Sequence, residues 1–181
     1  MKYDINNVSK AINGDKESFS QLYREIYPDL YKLCVYMCSN VDIAEDIVSE
    51  TVIDAYKGIN KLQKPESFDF WILKILSAKV KKFFKTKYNS FSANNPNASA
   101  IDDSYMADDN VNQVIEHHDL ITAMKTLDRT ERMIISLCIV DGYSSKAVGE
   151  ILNMNPNTVR SKLNRSLSKL KSQKEVKGYD R

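Results

Sequence analysis

The segment Tyr143–Leu170 limits most strongly what this chain can fold into, because it encodes two short helices on either side of a tight turn. Ser144 is a good N-cap for the first helix, and Asn153 tolerates the left-handed conformation that often follows a helix end. Asn155 provides a second N-cap, and Pro156 then falls at the first helical position, where its missing N–H costs nothing. These signals predict a helix-turn-helix.

The second helix of this pair has one apolar and one polar face. Its apolar stripe recurs at helical spacing and comprises Val159, Leu163, Leu167 and Leu170. A helix in the DNA major groove reads guanine with arginine, adenine with asparagine, and bases or phosphates with serine or threonine. The polar face therefore predicts DNA contacts by Asn157, Thr158, Arg160, Ser161, Lys162 and Arg165.

Charge is strongly segregated along the chain. Residues 144–174 hold seven basic residues and one acid, and residues 58–87 hold eight basic residues and two acids. Residues 88–119, which separate these blocks, hold six acids and no Lys or Arg. Two positive blocks around a negative spacer suggest two separate contacts with a polyanion. A solvated lysine-rich face is the alternative for either block alone, and the caps and the turn favour DNA binding for the second.

The N-terminal part of the chain is also predicted to be helical. Apolar residues recur at helical spacing over residues 17–37, and Pro28 predicts a kink or a break there. A helix is predicted over residues 42–57, with Asp42 and Glu45 as an acidic capping box. Its outer face is either a solvated acidic surface or a docking face for a basic partner protein. That face carries Asp42, Glu45, Asp46, Glu50 and Asp54.

Basic and aromatic residues interleave in a third helix, predicted over residues 67–87. Its predicted apolar stripe comprises Phe68, Trp71, Ile72, Ile75, Leu76, Val80 and Phe83. Trp71 and Phe83 are therefore predicted to be core residues, whereas Phe70 and Phe84 lie off the stripe and are predicted to be exposed. Lysines around aromatic rings suit single-stranded DNA, where bases stack on rings and phosphates meet ammonium groups. The lysines of this helix are Lys74, Lys79, Lys81, Lys82, Lys85 and Lys87.

Together these patterns predict an all-α fold. Two small helical domains, residues 1–87 and 120–175, are joined by a flexible acidic linker over residues 88–119 and followed by a tail over residues 176–181. The C-terminal domain is predicted to be the helix-turn-helix.

Composition argues against several other classes. The 181 residues contain no apolar run long enough for a membrane span and no signal-peptide core at the N-terminus, so a cytoplasmic protein is expected. Cys34, Cys38 and Cys138 are predicted to be free thiols, and the adjacent His117 and His118 to be solvated, because no metal-spaced cluster accompanies them. Five scattered glycines form no phosphate-binding loop, which argues against an enzyme and against a cofactor.

The order of these blocks resembles a bacterial RNA polymerase sigma factor of the sigma-70 family, of the compact extracytoplasmic-function type. VDIAEDIVSETVIDAYKGI resembles the segment that docks on the polymerase clamp, and SFDFWILKILSAKVKKFFK resembles the promoter-melting helix. LDRTERMIISLCIVDGYSSKAVGEILNMNPNTVRSKLNRSLSKL resembles the C-terminal helix-turn-helix domain. The resemblance implies a factor that directs core RNA polymerase to specific promoters and helps to open the DNA.

The resemblance also implies roles for individual residues. The polymerase-binding residues would be Asp42, Glu45, Asp46, Ser49 and Glu50, where Ser49 replaces a usual glutamine. Single-stranded minus-ten DNA would be bound by Lys61, Lys64, Phe68, Phe70, Trp71, Lys74 and Lys81. The polar face of the recognition helix would read the minus-thirty-five element as duplex. Gly149 stands where alanine is usual and is expected to cost its helix about 1 kcal/mol.

The partners implied are core RNA polymerase and promoter DNA. An anti-sigma factor stays open as a further partner, although no residue pattern identifies one. The alternative function is a stand-alone helix-turn-helix regulator that binds a duplex operator without polymerase, usually as a dimer on a palindrome.

Overall fold

The computed structural model describes the backbone of residues 1–94 and 118–178 and the side chains of residues 1–89 and 120–172. Every regular element within these ranges is helical, in agreement with the predicted all-α fold of two small domains. The N-terminal domain contains α1 (Ile5–Ile12), α2 (Lys16–Cys38), α3 (Val41–Gly58) and α4 (Phe68–Asn94). The C-terminal domain contains α5 (His118–Met124), α6 (Arg129–Ile135), α7 (Ser145–Leu152) and α8 (Pro156–Gly178).

Side-chain caps determine where the N-terminal helices begin. Asp15 accepts a hydrogen bond from the backbone N–H of Glu17 at the start of α2. At the start of α3 the Asn40 side chain accepts from the N–H of Ile43 at 2.8 Å. The predicted capping box at Asp42 is therefore wrong, because Asn40 already satisfies the free N–H groups of the first turn.

Helix α2 runs without a break through Pro28, contrary to the predicted kink or break. Proline removes one backbone hydrogen bond, but its ring lies at an exposed position here. Ile26 and Leu30, on either side of it, are 3% and 0% exposed. Burial of these side chains offsets the missing hydrogen bond and holds both halves of the helix in line.

The apolar stripe predicted for α4 is confirmed at Phe68, Ile72, Leu76 and Val80 and wrong at its edges. The fully buried apolar residues of α4 are Phe68, Ile72, Leu73, Leu76, Val80 and Phe84. Phe84 is 2% exposed, so the prediction of an exposed ring is wrong, while Phe83 and Trp71 are only partly buried. The buried residues recur every four positions from Phe68 to Phe84, and Arg129 of α6 packs over the Phe84 end of this seam.

Helix α4 also continues to Asn94, beyond the predicted end near Lys87. The first residues of the predicted linker are therefore helical. Residues 95–117, which include His117, lie outside the described residues. The side chain of His118 also lies outside them. Two 3₁₀ turns, Ile59–Lys61 and Pro65–Ser67, connect α3 to α4.

Helix α6 of the C-terminal domain begins with a reciprocal cap. Asp128 accepts from the N–H of Glu131, and the Glu131 side chain accepts from the N–H of Asp128. A π-helical turn, Ser136–Val140, continues α6. In α8 the buried seam runs through Val159 and Ser166, and Leu167 is 39% exposed, contrary to its predicted place on the stripe. The seven-residue step from Val159 to Ser166 places Leu167 beside the contact rather than in it.

The cysteines of the described residues are free thiols, and these residues form neither a metal-sharing cluster nor a membrane-spanning helix. Cys34 and Cys38 are buried free thiols, and Cys138 is a half-buried one. The described residues contain no group of three or more His, Cys, Asp or Glu side chains placed to share a metal ion. Within the same ranges, none of the helices combines the length and the apolar character that crossing a bilayer requires.

Candidate nucleic-acid interfaces and an acidic docking face

The predicted helix-turn-helix is formed by α7, α8 and the turn between them. Ser144 caps α7 by accepting from the N–H of Ala147 at 3.2 Å. Asn153 ends α7 in the left-handed region at φ 54°. Asn155 caps α8 by accepting from the N–H of Asn157 at 2.8 Å. Each of the three predicted turn signals is thus confirmed, and the turn is specified by local side-chain chemistry.

Gly149 allows the turn to approach α7 closely. A Cβ atom at this position would lie 2.8 Å from the backbone oxygen of Met154 and 3.3 Å from Cγ of Pro156. The N–H of Met154 also donates to the Gly149 carbonyl at 2.7 Å. The expected cost of glycine in this helix therefore has a counterpart, because the contact leaves no room for a side chain.

The outer face of α8 is open to solvent. Asn157, Thr158, Arg160, Ser161 and Arg165 are all exposed. The guanidinium of Arg160 donates to the Asn157 side chain at 3.3 Å, which orients both groups on the same face. Arginine and asparagine held side by side match the donor and acceptor pattern of base edges in a major groove.

Lys162 is placed differently from its neighbours on α8. Its ammonium lies 3.5 Å from a carboxylate oxygen of Asp128, and its side chain is 27% exposed. Further along the helix, Lys169 pairs with Glu131 at 2.7 Å. These two lysines turn back toward the start of α6, so they join α8 to α6 as well as adding positive charge.

Helix α4 presents exposed lysines beside aromatic rings. The Lys74 ammonium lies 4.9 Å from the centre of the Phe70 ring, and that of Lys87 lies 5.2 Å from the centre of the Phe83 ring. Phe70 is half-buried, as is Trp71, so each offers part of a ring for stacking. The preceding loop adds exposed ammonium groups at Lys61 and Lys64. This surface has the cationic and aromatic components that single strands require.

Two predicted members of that surface make contacts within the protein in this arrangement. Phe68 is 0% exposed and packs edge-on against Tyr3, with ring centres 5.2 Å apart. Its place at the first position of α4 points it into the core, so the prediction that it contacts DNA is wrong for this arrangement. The Lys81 ammonium donates to the backbone oxygen of Leu152 in the C-terminal domain, and burial lowers its pKa.

The acidic face of α3 is exposed along its length. Asp42, Glu45, Asp46, Ser49 and Glu50 all point to solvent, while Ile47, Val48 and Thr51 are buried on the opposite side. The helix is thus amphipathic, with its carboxylates presented outward as predicted. An exposed row of carboxylates suits a basic partner surface.

Lys79 modifies this acidic face in a way that the sequence did not suggest. Its ammonium lies 3.1 Å from Glu50 and 2.7 Å from Asp54. The hydrogen bond from Lys79 lowers the pKa of Asp54, and the same two carboxylates raise the pKa of Lys79. Lys79 was predicted to lie with the other lysines of α4 on the DNA-facing side. Helical spacing does not show which neighbouring helix a side chain contacts, so its pairing with α3 was missed.

Ile53 is a further exposed residue that sequence analysis missed. It is 52% exposed and lies one turn beyond Ser49 and Glu50, at the edge of a groove between α3 and α4. A single exposed isoleucine is normal on a protein surface, so Ile53 marks the edge of the acidic face without itself indicating a partner. The available signal was the outward register shared with Ser49 and Glu50.

Two regions of one protein family match the chain. The model for sigma-70 region 2 matches residues 22–89, and the model for sigma-70 region 4 matches residues 117–170. The first match covers α3 and most of α2 and α4, and the second covers the C-terminal helices through the helix-turn-helix. Together they span most of the chain, in the order that the sequence predicted.

Individual relatives agree with this match. The ECF RNA polymerase sigma factor SigW of Bacillus subtilis (strain 168) is 27% identical over 176 residues, which cover 92% of this chain and 94% of that protein. The sigma factor RpoE, solved with the anti-sigma factor NepR from Bartonella quintana, superposes with a TM-score of 0.70 at 19% identity, covering 88% of this chain and 98% of that one. CnrH, solved with the cytosolic domain of CnrY, gives a TM-score of 0.67 at 16% identity, with 96% and 97% covered.

The structural likeness establishes the fold, and the two family regions establish the relationship. An exposed recognition helix, a cationic and aromatic helix and an acidic face occur in this one chain, in the family's order. The chain therefore belongs to the sigma-70 family of bacterial RNA polymerase sigma factors, as a member of its extracytoplasmic-function type.

Proposed function

We propose that separate surfaces of this sigma factor bind core RNA polymerase and the two promoter elements. The factor thereby directs core RNA polymerase to specific promoters and helps to open the DNA. The observation that carries the proposal is that two separate basic surfaces and one acidic surface occupy different helices of the same chain. Each surface alone would bind weakly. Tethering the two DNA contacts on one polymerase raises their effective concentration and makes the pair of promoter elements selective.

The recognition helix α8 reads the minus-thirty-five element as duplex DNA. Arg160 and Asn157 contact base edges, and Thr158, Ser161 and Arg165 position the helix through bases and phosphates. The exposure of all five side chains and the hydrogen bond between Arg160 and Asn157 support this role. Lys162 contributes less, because its ammonium faces Asp128.

Helix α4 and the loop before it hold the minus-ten element as single-stranded DNA. Lys61, Lys64 and Lys74 meet phosphates, while Phe70 and Trp71 offer ring surface to unstacked bases. Removing a base from the stack costs a few kcal/mol, which these contacts must offset. The domain limits proposed for this role are residues 1–87, with residues 120–175 forming the minus-thirty-five domain.

The acidic face of α3 docks on core RNA polymerase. Asp42, Glu45 and Asp46 present free carboxylate surface to a basic partner, and Ser49 extends the face. Glu50 shares its charge with Lys79 and so contributes less. Because core RNA polymerase acts in the cytoplasm, we expect the chain to act there. Its role is that of a transcription initiation factor rather than an enzyme. Because the Bartonella quintana neighbour was solved with an anti-sigma factor, we also propose an anti-sigma factor as a partner.

Run-off transcription with core polymerase and a library of genomic promoter fragments tests the function. We expect transcripts only when the chain, the polymerase and a fragment carrying a directly oriented pair of elements are all present. A stand-alone regulator would instead bind a duplex operator tightly without polymerase and would yield no transcript from any fragment. That outcome would contradict the proposed function.

A further inference from the structure

Two buried thiols in the last turn of α2 lie outside the surfaces of the proposed function. We propose that Cys34 and Cys38 form a dithiol site for trivalent arsenicals, in which one arsenic atom bonds to both sulfurs. The proposal follows from the distance between the two sulfurs, from their burial and from their position on the helix.

The two thiols face each other across one turn of α2. Their sulfur atoms lie 3.8 Å apart, so that one thiol donates to the other. Cys34 is 0% exposed and Cys38 is 2% exposed. A single atom bonded to two thiolate sulfurs at about 2.3 Å, as zinc is, holds them about 3.8 Å apart at a tetrahedral angle. The sulfurs are thus already at the separation that one bridging atom requires.

A disulfide fits the same pair poorly. Residues four apart on a helix have Cβ atoms about 5–6 Å apart, whereas a disulfide holds its Cβ atoms at about 3.5–4.5 Å. Closing that gap requires the last turn of α2 to unwind. A bridging atom adds a second bond between the sulfurs, so it spans the pair while the turn stays helical.

Ligand number and charge decide which bridging atom the site accepts. A structural zinc ion takes a full tetrahedral set of ligands, and the described residues contain no group of three or more His, Cys, Asp or Glu side chains placed to share a metal ion. Monovalent copper accepts thiolates but leaves this pair with a negative charge. Burial and the dipole at the C-terminal end of α2 both disfavour that anion. Trivalent arsenic that carries one organic group leaves the site neutral.

The chemistry of the thiols agrees with this choice. Burial raises the pKa of the Cys34 thiol well above its usual value, and the hydrogen bond with Cys38 raises it further. Oxidants react mainly with exposed thiols of low pKa, so this pair resists oxidation. An arsenoxide needs no prior deprotonation by a protein base, because its own oxygen accepts both thiol protons.

The reaction with phenylarsine oxide is balanced without a further reactant. Both S–H bonds and the bonds between arsenic and oxygen break, and two S–As bonds form. The oxygen leaves with the two protons as water, and the phenyl group stays on arsenic. Arsenic remains trivalent, so neither an oxidant nor a reductant is required.

Access to the thiols comes from the end of the helix. Cys38 is the last residue of α2, and Ser39 follows it in the left-handed region at φ 53°. Among the described residues, the buried hydroxyls of Tyr36 and Ser39 have no hydrogen-bond partner. Opening of this turn lets both hydroxyls bind water, and helix ends open more readily than helix interiors. The same opening exposes the thiols to the arsenical.

Mass spectrometry of the intact, reduced full chain tests the site. The chain is treated with phenylarsine oxide under native conditions and then with a ~100-fold excess of glutathione, because a chelating pair of thiols should outcompete a monothiol by at least this factor. We expect one phenylarsenic group to survive glutathione and to be released by dithiothreitol. Cys138→Ala, which removes a half-buried thiol on another element, should keep the adduct. Cys34→Ala and Cys38→Ala should each lose it at least about tenfold.

Thermal unfolding distinguishes a site in the folded protein from reaction with an opened chain. A ligand that binds the native state in preference to the unfolded state raises the melting temperature. We expect phenylarsine oxide to raise it for the wild-type chain and for Cys138→Ala, but not for Cys34→Ala. Loss of the wild-type adduct to glutathione would overturn the site, as would an unchanged or lower wild-type melting temperature with the arsenical. Neither measurement uses DNA or polymerase, so the site stands or falls separately from the proposed function.

Discussion

Replacing Gly149 with alanine separates helix propensity from tertiary contact. Propensity alone predicts a gain of about 1 kcal/mol, because glycine is the less favourable residue inside a helix. The new Cβ, however, would lie 2.8 Å from the Met154 oxygen, where ordinary carbon–oxygen contacts begin near ~3.3 Å. The obstacle is backbone, which cannot rotate away as a side chain could.

Relief of this contact requires the turn to move by about 0.5 Å, which strains the hydrogen bond from the Met154 N–H to the Gly149 carbonyl. Overpacking of this kind costs about 1–3 kcal/mol, so it outweighs the propensity gain. We expect Gly149→Ala to destabilise the C-terminal domain by about 1 kcal/mol, which lowers the melting temperature by about 4–8 °C for a domain of this size.

Thermal unfolding of the full chain, followed by circular dichroism, measures this change. Gly58→Ala is the matched control, since its Cβ would meet only Trp71, at an ordinary 3.5 Å. It should leave the melting temperature unchanged or raise it slightly. A higher melting temperature for Gly149→Ala would refute the reasoning, because propensity would then exceed the cost of the close approach.

Two further predictions concern the proposed surfaces, and a third concerns a half-buried carboxyl. Arg160→Ala should weaken binding to a cognate promoter fragment by about 1–3 kcal/mol and relax preference at one position, measured by a holoenzyme mobility shift. Asp46→Lys should weaken co-purification with core polymerase about tenfold, because the carboxylate is exposed on the docking face. Burial raises the pKa of Asp69, so the native state binds its proton more tightly and stability falls as pH rises above about 3.9. Asp69→Asn should therefore stabilise the chain at neutral pH and have almost no effect near pH 3 in denaturant titrations.

Controls distinguish these effects from general charge loss. Lys171→Ala removes a cation from the exposed far end of α8 and should leave promoter sequence preference intact. A changed sequence preference in the Lys171→Ala variant would contradict the specific role of Arg160. Glu17→Lys reverses an exposed charge on α2 and should not disturb co-purification. Undiminished co-purification of Asp46→Lys would count against the docking face. A stability difference for Asp69→Asn that is constant with pH would mean that the carboxyl does not titrate as described.

Local signals were sufficient where structure is determined locally. The caps at Ser144 and Asn155 and the left-handed Asn153 lie within a few residues of the groups they satisfy, so the sequence predicted the helix-turn-helix and its exposed face. The outward carboxylates of α3 followed from the same reasoning. Asn40 was missed as a cap because Asp42, two residues later, offered an equally plausible pattern.

Tertiary contacts explain what the sequence could not predict. Phe84 continues the four-residue spacing of the buried seam of α4, but the contact with Arg129 of α6 that covers its ring lies outside that spacing. Phe68 was predicted both on the apolar stripe of α4 and among the DNA contacts, and its packing against Tyr3, more than sixty positions away, decides for the core. Gly149 resembled a weak helix residue until the Met154 carbonyl was located beside it.

The pairing of lysines changes how the charge pattern should be interpreted. The positive blocks at residues 58–87 and 144–174 predicted two polyanion contacts, each with many cations. Yet Lys79 faces α3, Lys162 and Lys169 face the start of α6, and Lys81 faces the end of α7. These lysines join helices to one another, so the cations left for DNA concentrate on the outer faces of α4 and α8. Because the same charge type joins helices and binds phosphate, the number of lysines in a basic block overstates the number that face outward toward a polyanion.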